Sequence, residues 1–269
     1  MLNVVKATAR LYYKVARQAF NALKKHPFKP LFGFLFILAI RVLESSGSFF
    51  PGFVGGMIIG LAMTLVLASF LAFISLIFDS KRFNREEVQA TALAMFGPLI
   101  NTLFLLFIGL FLLKPILMAV DTRLWLGIIY IVLFVLFNPL PEVASRRGVG
   151  GMQAFGDSLE FMKENGPEWL AGILILFLPL IAIAGPTLLI LLISSADPLQ
   201  GLFLLIGLSI QVFASLFDFL DGQFGSGVRL IAMAFGLYYL FFIFLSRAAL
   251  FEELSHSTRR KRVREYDLS

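Results

Sequence analysis

The sequence predicts an all-α polytopic membrane protein, with six transmembrane helices, interfacial elbow helices on the cytoplasmic side and one re-entrant or outer-face helix. Three observations carry that expectation. The 269 residues are 59% hydrophobic and 15% charged, with a mean hydropathy of +0.88, against roughly 25% charged in a typical soluble domain, so lipid is the main solvent. Apolar runs approaching the ~20 residues needed to cross a bilayer recur along the chain. At His26-Pro27, Gly97-Pro98 and Gly166-Pro167, a polar, helix-prone stretch meets a proline and runs on into an apolar segment. Proline suits the first turn of a helix and disfavours helix in the residue before it. Each dipeptide is therefore expected to be an elbow between a surface helix and a membrane-crossing one.

In chain order, residues 1–29 read as a basic amphipathic helix. Lys6, Arg10, Lys14, Arg17 and Lys24 form one stripe, and Val5, Ala9, Tyr12, Ala16, Phe20 and Leu23 lie on the other face. Such a helix lies in the headgroup region and favours anionic lipid, so these five cations are the expected lipid-binding residues. The basic stretch is long and no A-x-A site follows it, so it is expected to be retained rather than cleaved as a signal peptide.

Residues 30–141 are expected to hold four spans, at 30–43, 53–78, 98–120 and 124–140. Gly52, Gly56 and Gly60 open the second, and the G-x-x-x-G spacing of Gly56 and Gly60 predicts a helix-packing face. Arg41 and Glu44, like Lys114 and Asp121, flank outer ends of spans. Asn101, Asn138 and Gln211 are candidates for hydrogen bonds across helices.

Residues 142–168 read as a second cytoplasmic amphipathic helix. Met152, Phe155, Leu159 and Met162 form its apolar stripe, while Asp157, Glu160 and Glu164 face away as an acidic surface for a basic partner or for the chain's own basic helices. Residues 169–250 are expected to hold two spans, 169–193 and 230–250, with 201–217 re-entrant or on the outer face. Residues 251–269 are a basic cytoplasmic tail containing Arg259-Arg260-Lys261-Arg262.

Charge selects six crossings from seven apolar segments. Seven would put the basic first helix and the basic tail on opposite sides, against the tendency of Lys and Arg in short flanks to stay cytoplasmic. If 201–217 does not cross, 19 of the 23 Lys and Arg share one side, with Arg41, Lys114, Arg123 and Arg229 elsewhere. Demoting 30–43 instead would place Lys81, Arg82 and Arg85 outside. Surface helix, elbow, outgoing span and returning span would then repeat in parallel units, with Gln18-Ala19-Phe20 and Gln153-Ala154-Phe155 as a faint echo.

Little in the chain points to chemistry. Cysteine is absent and only His26 and His256 carry imidazole, so no cofactor or metal site is expected. The acidic residues have no histidine or nucleophile beside them, Asp218 and Asp221 being the only clustered carboxylates near a span. The net charge of +6 sits in the flanks with no basic, aromatic-interleaved fold, so nucleic acid is not an expected partner. The expected function is a non-enzymatic membrane subunit or accessory protein that meets other subunits and anionic lipid through its cytoplasmic helices. A transporter or lipid-handling protein with a cavity between hairpin units is the alternative.

From 133 to 181, a span ends in N-P-L-P-E-V, a glycine-rich turn follows, then A-F-x-x-S-L-E-F-M-K-E-N and a span beginning E-W-L. This pattern resembles the bacterial membrane families related to YciC and to the membrane domain attached to some glycerophosphodiester phosphodiesterases. The resemblance covers about a fifth of the chain and is one of residue types. It implies an α-helical inner-membrane protein of six or so spans with cytoplasmic amphipathic helices. The catalytic domain that sometimes accompanies the family is absent from these residues, so no enzymatic residue carries over.

Overall fold

The computed structural model describes residues 2–46, 52–79, 84–118, 132–133, 135–184 and 226–256. Among them the chain is almost entirely helical, without a strand, as the composition requires. The elements are α1 (Leu2–Lys25), a short 3-10 turn (Lys29–Phe32), α2 (Gly33–Ser46), α3 (Gly52–Phe78), α4 (Arg85–Met118), α5 (Leu140–Arg147), α6 (Met152–Ala184) and α7 (Ser226–His256). Val54–Phe78, Arg85–Gly109 and Ile231–His256 are long and apolar enough to cross a bilayer, and the bent pair Lys6–Lys25 and Lys29–Leu43 allows a fourth crossing. The protein is a helical membrane protein. The expected 201–217 element, Gln211, Asp218, Asp221, Asp121, Arg123, all of 124–131 and the tail beyond His256 lie outside the described residues.

Of the three expected elbows, one is a bend. At His26-Pro27 the helix axis turns by 87°. The turn is closed by Lys29 N–H donating to His26 O (3.1 Å), while the Tyr238 hydroxyl donates to Pro27 O. Gly97-Pro98 and Gly166-Pro167 instead lie inside the unbroken helices α4 and α6. Each proline removes one i to i−4 hydrogen bond, at a cost of ~3 kcal/mol in a helix interior. Buried residues flank each defect on both sides, Met95, Leu99 and Leu103 in α4, and Phe161, Trp169 and Ile173 in α6, and the helices continue through it. Tertiary packing overrides the local preference that predicted elbows there.

The buried stripes of the two amphipathic helices also differ from expectation. In α1 the core-facing residues are Ala7, Leu11, Val15, Ala19 and Ala22, at strict steps of three or four, and they pack on α7. Phe20 and Tyr13 are exposed, at 61% and 69%. Small alanines permit close approach to α7, so the larger apolar residues end up outside. In α6 the buried line is Ala154, Ser158, Phe161, Asn165 and Trp169, while Met152 and Leu159 are 74% and 42% exposed. Ser158 and Asn165 carry low hydropathy and hid this stripe. Ser158 earns its buried place by donating to Leu136 O at 3.0 Å.

The second half of α7 is the axis of the fold, buried almost continuously from Leu237 to Leu254. Against it α3 brings Phe70 and Phe73, which meet Phe241 and Phe244 edge to face with ring centroids 4.7 to 5.7 Å apart, while Phe36 of α2 packs edge to face on Phe70 and Phe73 at 5.4 and 5.8 Å. Such pairs add ~0.5–1.5 kcal/mol each beyond area burial. Gly33 allows this packing, because a Cβ there would lie 2.7 Å from the Phe241 ring. Gly172 does the same where α6 crosses α7 and α1, 2.6 Å from Leu250 and 3.1 Å from Tyr12. The expected Gly56 and Gly60 face is not used in this way: among the described residues a Cβ at either position meets nothing within 4 Å.

One end of the bundle collects the charges. Asp79 at the end of α3, Arg146 in α5 and Glu252 near the end of α7 are joined by ion pairs of 3.1 and 3.3 Å through the Arg146 guanidinium. Arg147 pairs with Asp157 of α6 at 3.1 Å, and Lys14 of α1 with Glu253 at 2.8 Å. Residues from the basic first helix, the end of α3, the stretch 142–168 and the end of α7 therefore meet at this polar end: α3 and α7 finish there, while α6 starts there.

Candidate functional site

The most unusual chemistry lies just below that end. Asn138-Pro139-Leu140-Pro141-Glu142 turns the chain into α5, whose first turn buries Leu140, Pro141 and Glu142. Proline at the helix start costs no hydrogen bond there, and Val143 N–H closes the turn on Pro139 O at 2.9 Å. The Glu142 carboxylate faces Arg247 of α7, and the two are 4% and 3% exposed. Arg247 Nε donates to Glu142 Oε1 at 2.6 Å and Nη2 to Oε2 at 2.8 Å, a fork-to-fork pair. Nη2 also donates to Asn138 O at 3.0 Å.

Asn138 links this pair to α6, accepting at Oδ1 from Trp169 Nε1 at 3.0 Å. Trp169, fully buried, places its ring 5.4 Å from the Arg247 guanidinium and stacks edge to face on Phe161, which in turn meets Phe251. A buried arginine thus has two carboxylate oxygens, one carbonyl and one indole face around it. Desolvation of two charges is costly, and this shell offsets it with charge-assisted bonds and a cation–π contact.

Around the pair the contacts are of the same kind. The Arg146 guanidinium sits 4.7 Å over the Phe78 ring, and Arg147 lies 5.5 Å from the Phe251 ring. The glycine turn that leads from α5 to α6 docks on α4. Gly148 and Gly151 adopt left-handed backbone (φ 66° and 65°), Gly151 N–H donates to Thr102 Oγ1 at 3.0 Å, and Gly150 approaches Pro98 so closely that a Cβ would stand 2.6 Å from its Cα. Tyr12 of α1 donates to Glu168 O at 2.7 Å. Burial, then the Glu168 charge, pushes its phenol up to about 12. At the bend, burial followed by the Lys29 and Lys25 charges lowers His26 below its usual value.

The cluster joins four elements by ionic and aromatic contacts. What it can do chemically is hold α5, α6 and α7 in one register. Among the described residues no group of three His, Cys, Asp or Glu side chains has a metal-holding arrangement.

The sequence-predicted sites are placed as follows. Lys6, Arg10, Arg17 and Lys24 are exposed on α1, while Lys14 is engaged with Glu253, which also accepts from Gln18 at 3.2 Å. Asp157 is paired with Arg147, and Glu160 and Glu164 are exposed on α6. Gly52 opens α3, and among the described residues nothing stands within 4 Å of a Cβ at Gly56 or Gly60. Sequence reasoning read Asn138 and Glu142 as one polar run but missed Arg247 as their partner. The signal was a single cation within the apolar run 237–251, where an unpaired charge is not tolerated.

No protein-family model matches this chain, and neither characterised proteins nor solved structures yield a match.

Proposed function

We propose that the chain is a non-catalytic integral subunit or accessory protein of a membrane complex in a bacterial inner membrane, akin to the YciC-type families, with six crossings and both termini cytoplasmic. The observation that carries this reading is how the bundle is closed. Phenylalanine rings from α2, α3 and α7 fill the central space among the described helices, with Phe70 and Phe241 fully buried. At the polar end, arginines are spent on fastening helices to each other. A solute route needs polar lining through the centre, so this packing favours a structural role over the alternative of a transporter.

The direction of the helices supports six crossings. The 3-10 turn and α2 together span about 29 Å, taking ~2.0 Å per residue for the former and ~1.5 Å for the latter, enough for one crossing. Rings of the 3-10 turn and α2 meet α3 in reverse order, Phe32 and Phe36 with Phe73, and Phe36 with Phe70, so α2 and α3 run antiparallel. A chain that leaves with α4 and is back at the polar end at Asn138 needs an odd number of return crossings, and one suffices. One that leaves with α6 and returns with α7 crosses an even number of times between them, and none is needed.

Partner and lipid contacts fall to the exposed helices. Lys6, Arg10, Arg17 and Lys24, beside exposed Tyr13 and Phe20, suit an anionic headgroup layer. Glu160 and Glu164, with the exposed Met152 and Leu159, suit a basic, partly apolar protein surface. The test is purification from native membranes in mild detergent. The proposal expects a fixed set of co-purifying polypeptides that is lost in a Glu160→Lys, Glu164→Lys variant. A lone chain that catalyses solute flux after reconstitution would overturn it.

A further inference from the structure

On the flank of the bundle, α2, α3 and α4 enclose a lateral trough of about 640 Å³. Its walls are apolar, with Leu35 and Ala39 from α2, Leu65 and Phe73 from α3, and Val88, Ala92 and Leu93 from α4. At one end the lining changes character. Arg85 and Gln89, one helical turn apart, close the trough at the start of the apolar stretch Arg85–Gly109 of α4, the end where a crossing helix meets the headgroups. The remaining polar side chain in the lining, Ser69, is turned onto its own helix and donates to Leu65 O at 2.8 Å.

From this we infer a specific phospholipid site: one acyl chain lies in the trough and the anionic headgroup phosphate is held by Arg85, with Gln89 as a further donor. The inference rests on the membrane placement proposed above, and it names an occupant that the placement alone does not. Three features select an anionic lipid over a second helix. The volume is in the range of small-molecule pockets, ~300–1,000 Å³, and is too small for a helix with its side chains. Leu35, Leu65 and Leu93, at 57%, 44% and 57% exposure, leave it open sideways, the direction from which lipid arrives. The single cationic end, at headgroup depth and next to an otherwise apolar lining, matches the amphipathic layout of a phospholipid rather than that of a protein surface. Glu86 and Glu87, the neighbouring carboxylates in the first turn of α4, do not line the trough.

The test uses the full chain, purified in detergent with added phosphatidylglycerol or phosphatidylethanolamine and examined by native mass spectrometry for retained lipid. Wild type is expected to keep one phosphatidylglycerol in preference to phosphatidylethanolamine. Arg85→Ala should weaken phosphatidylglycerol retention about fivefold and erase the preference. Ala39→Phe, which fills the trough from a partly exposed position, should remove retained lipid of either kind. Both variants should melt with wild type, which separates site loss from unfolding. Retention unchanged in Arg85→Ala, or lipid lost equally for both headgroups, would overturn the headgroup assignment. Retention unchanged in Ala39→Phe, or displacement of a bound polypeptide instead of lipid, would overturn the trough as a lipid site. Neither outcome touches the subunit proposal, which is read by co-purification from native membranes.

Discussion

Glu142→Ala is the sharpest perturbation of the fold. It leaves Arg247, 3% exposed, with its charge facing an emptied carboxylate position and only the Asn138 carbonyl and the Trp169 ring beside it. Removing one partner of a buried ion pair costs ~3–5 kcal/mol, because the remaining charge stays desolvated. With a sensitivity of ~2–4 °C per kcal/mol for a chain of this size, the midpoint should fall by about 6–20 °C. Replacing both charges, Glu142→Leu with Arg247→Met, puts apolar groups of similar volume in the same place. That double variant should recover to within about 1–2 kcal/mol of wild type, since well-packed apolar replacements of buried pairs are often neutral. The assay is thermal unfolding of detergent-solubilised protein followed by loss of the monodisperse chromatographic peak. A Glu142→Ala midpoint within 2 °C of wild type, or a double variant no better than the single, would refute the argument that this pair locks α5 to α7.

Three further outcomes follow from other contacts. Gly150→Ala should cost at least ~1–3 kcal/mol, because its Cβ would meet backbone atoms of Pro98 that cannot move aside, whereas Gly56→Ala should melt within ~0.5 kcal/mol of wild type or slightly higher. Lys14→Ala should change stability by no more than ~1 kcal/mol, and that effect should fade in high salt, since its pair with Glu253 is half exposed. For Tyr12 the folded pKa is raised from 10.0 to about 12, so its contribution is complete below pH 10 and is lost as pH rises from 10 through 12. Tyr12→Phe should therefore lose less stability than wild type between pH 10 and 12 in alkaline melts.

The class of the protein was legible because hydropathy is a property of long runs: α3 and α7 coincide with expected spans to within a few residues, whereas α4 begins at Arg85, ahead of the expected 98–120. The bend at His26 was legible because proline there follows a helix whose residues have somewhere else to pack. At Pro98 and Pro167 the same local signal was overruled by neighbours distant in sequence, Gly150 in one case and Asn138 through Trp169 in the other. Stripe assignments failed for a related reason. Hydropathy ranks Phe20, Met152 and Leu159 as core, but a membrane bundle exposes large apolar residues to lipid and reserves close contacts for Ala, Gly and Ser. Ala19, Gly172 and Ser158 are all fully or nearly fully buried. Arg247 was invisible as a site residue because its partner lies 105 positions earlier, and no spacing rule on one helix connects them.

Single-cysteine accessibility labelling is the most direct test of the central claim, that one polar end of the bundle gathers the hydrophilic stretches on one side of the membrane. The chain has no native cysteine, so each label reports one position. Lys6→Cys, Glu86→Cys, Lys163→Cys and His256→Cys, all at exposed positions, should react only when the cytoplasmic face is opened to an impermeant reagent, and Ser45→Cys should react in intact cells. Labelling of Lys6→Cys and His256→Cys from opposite faces would contradict the account.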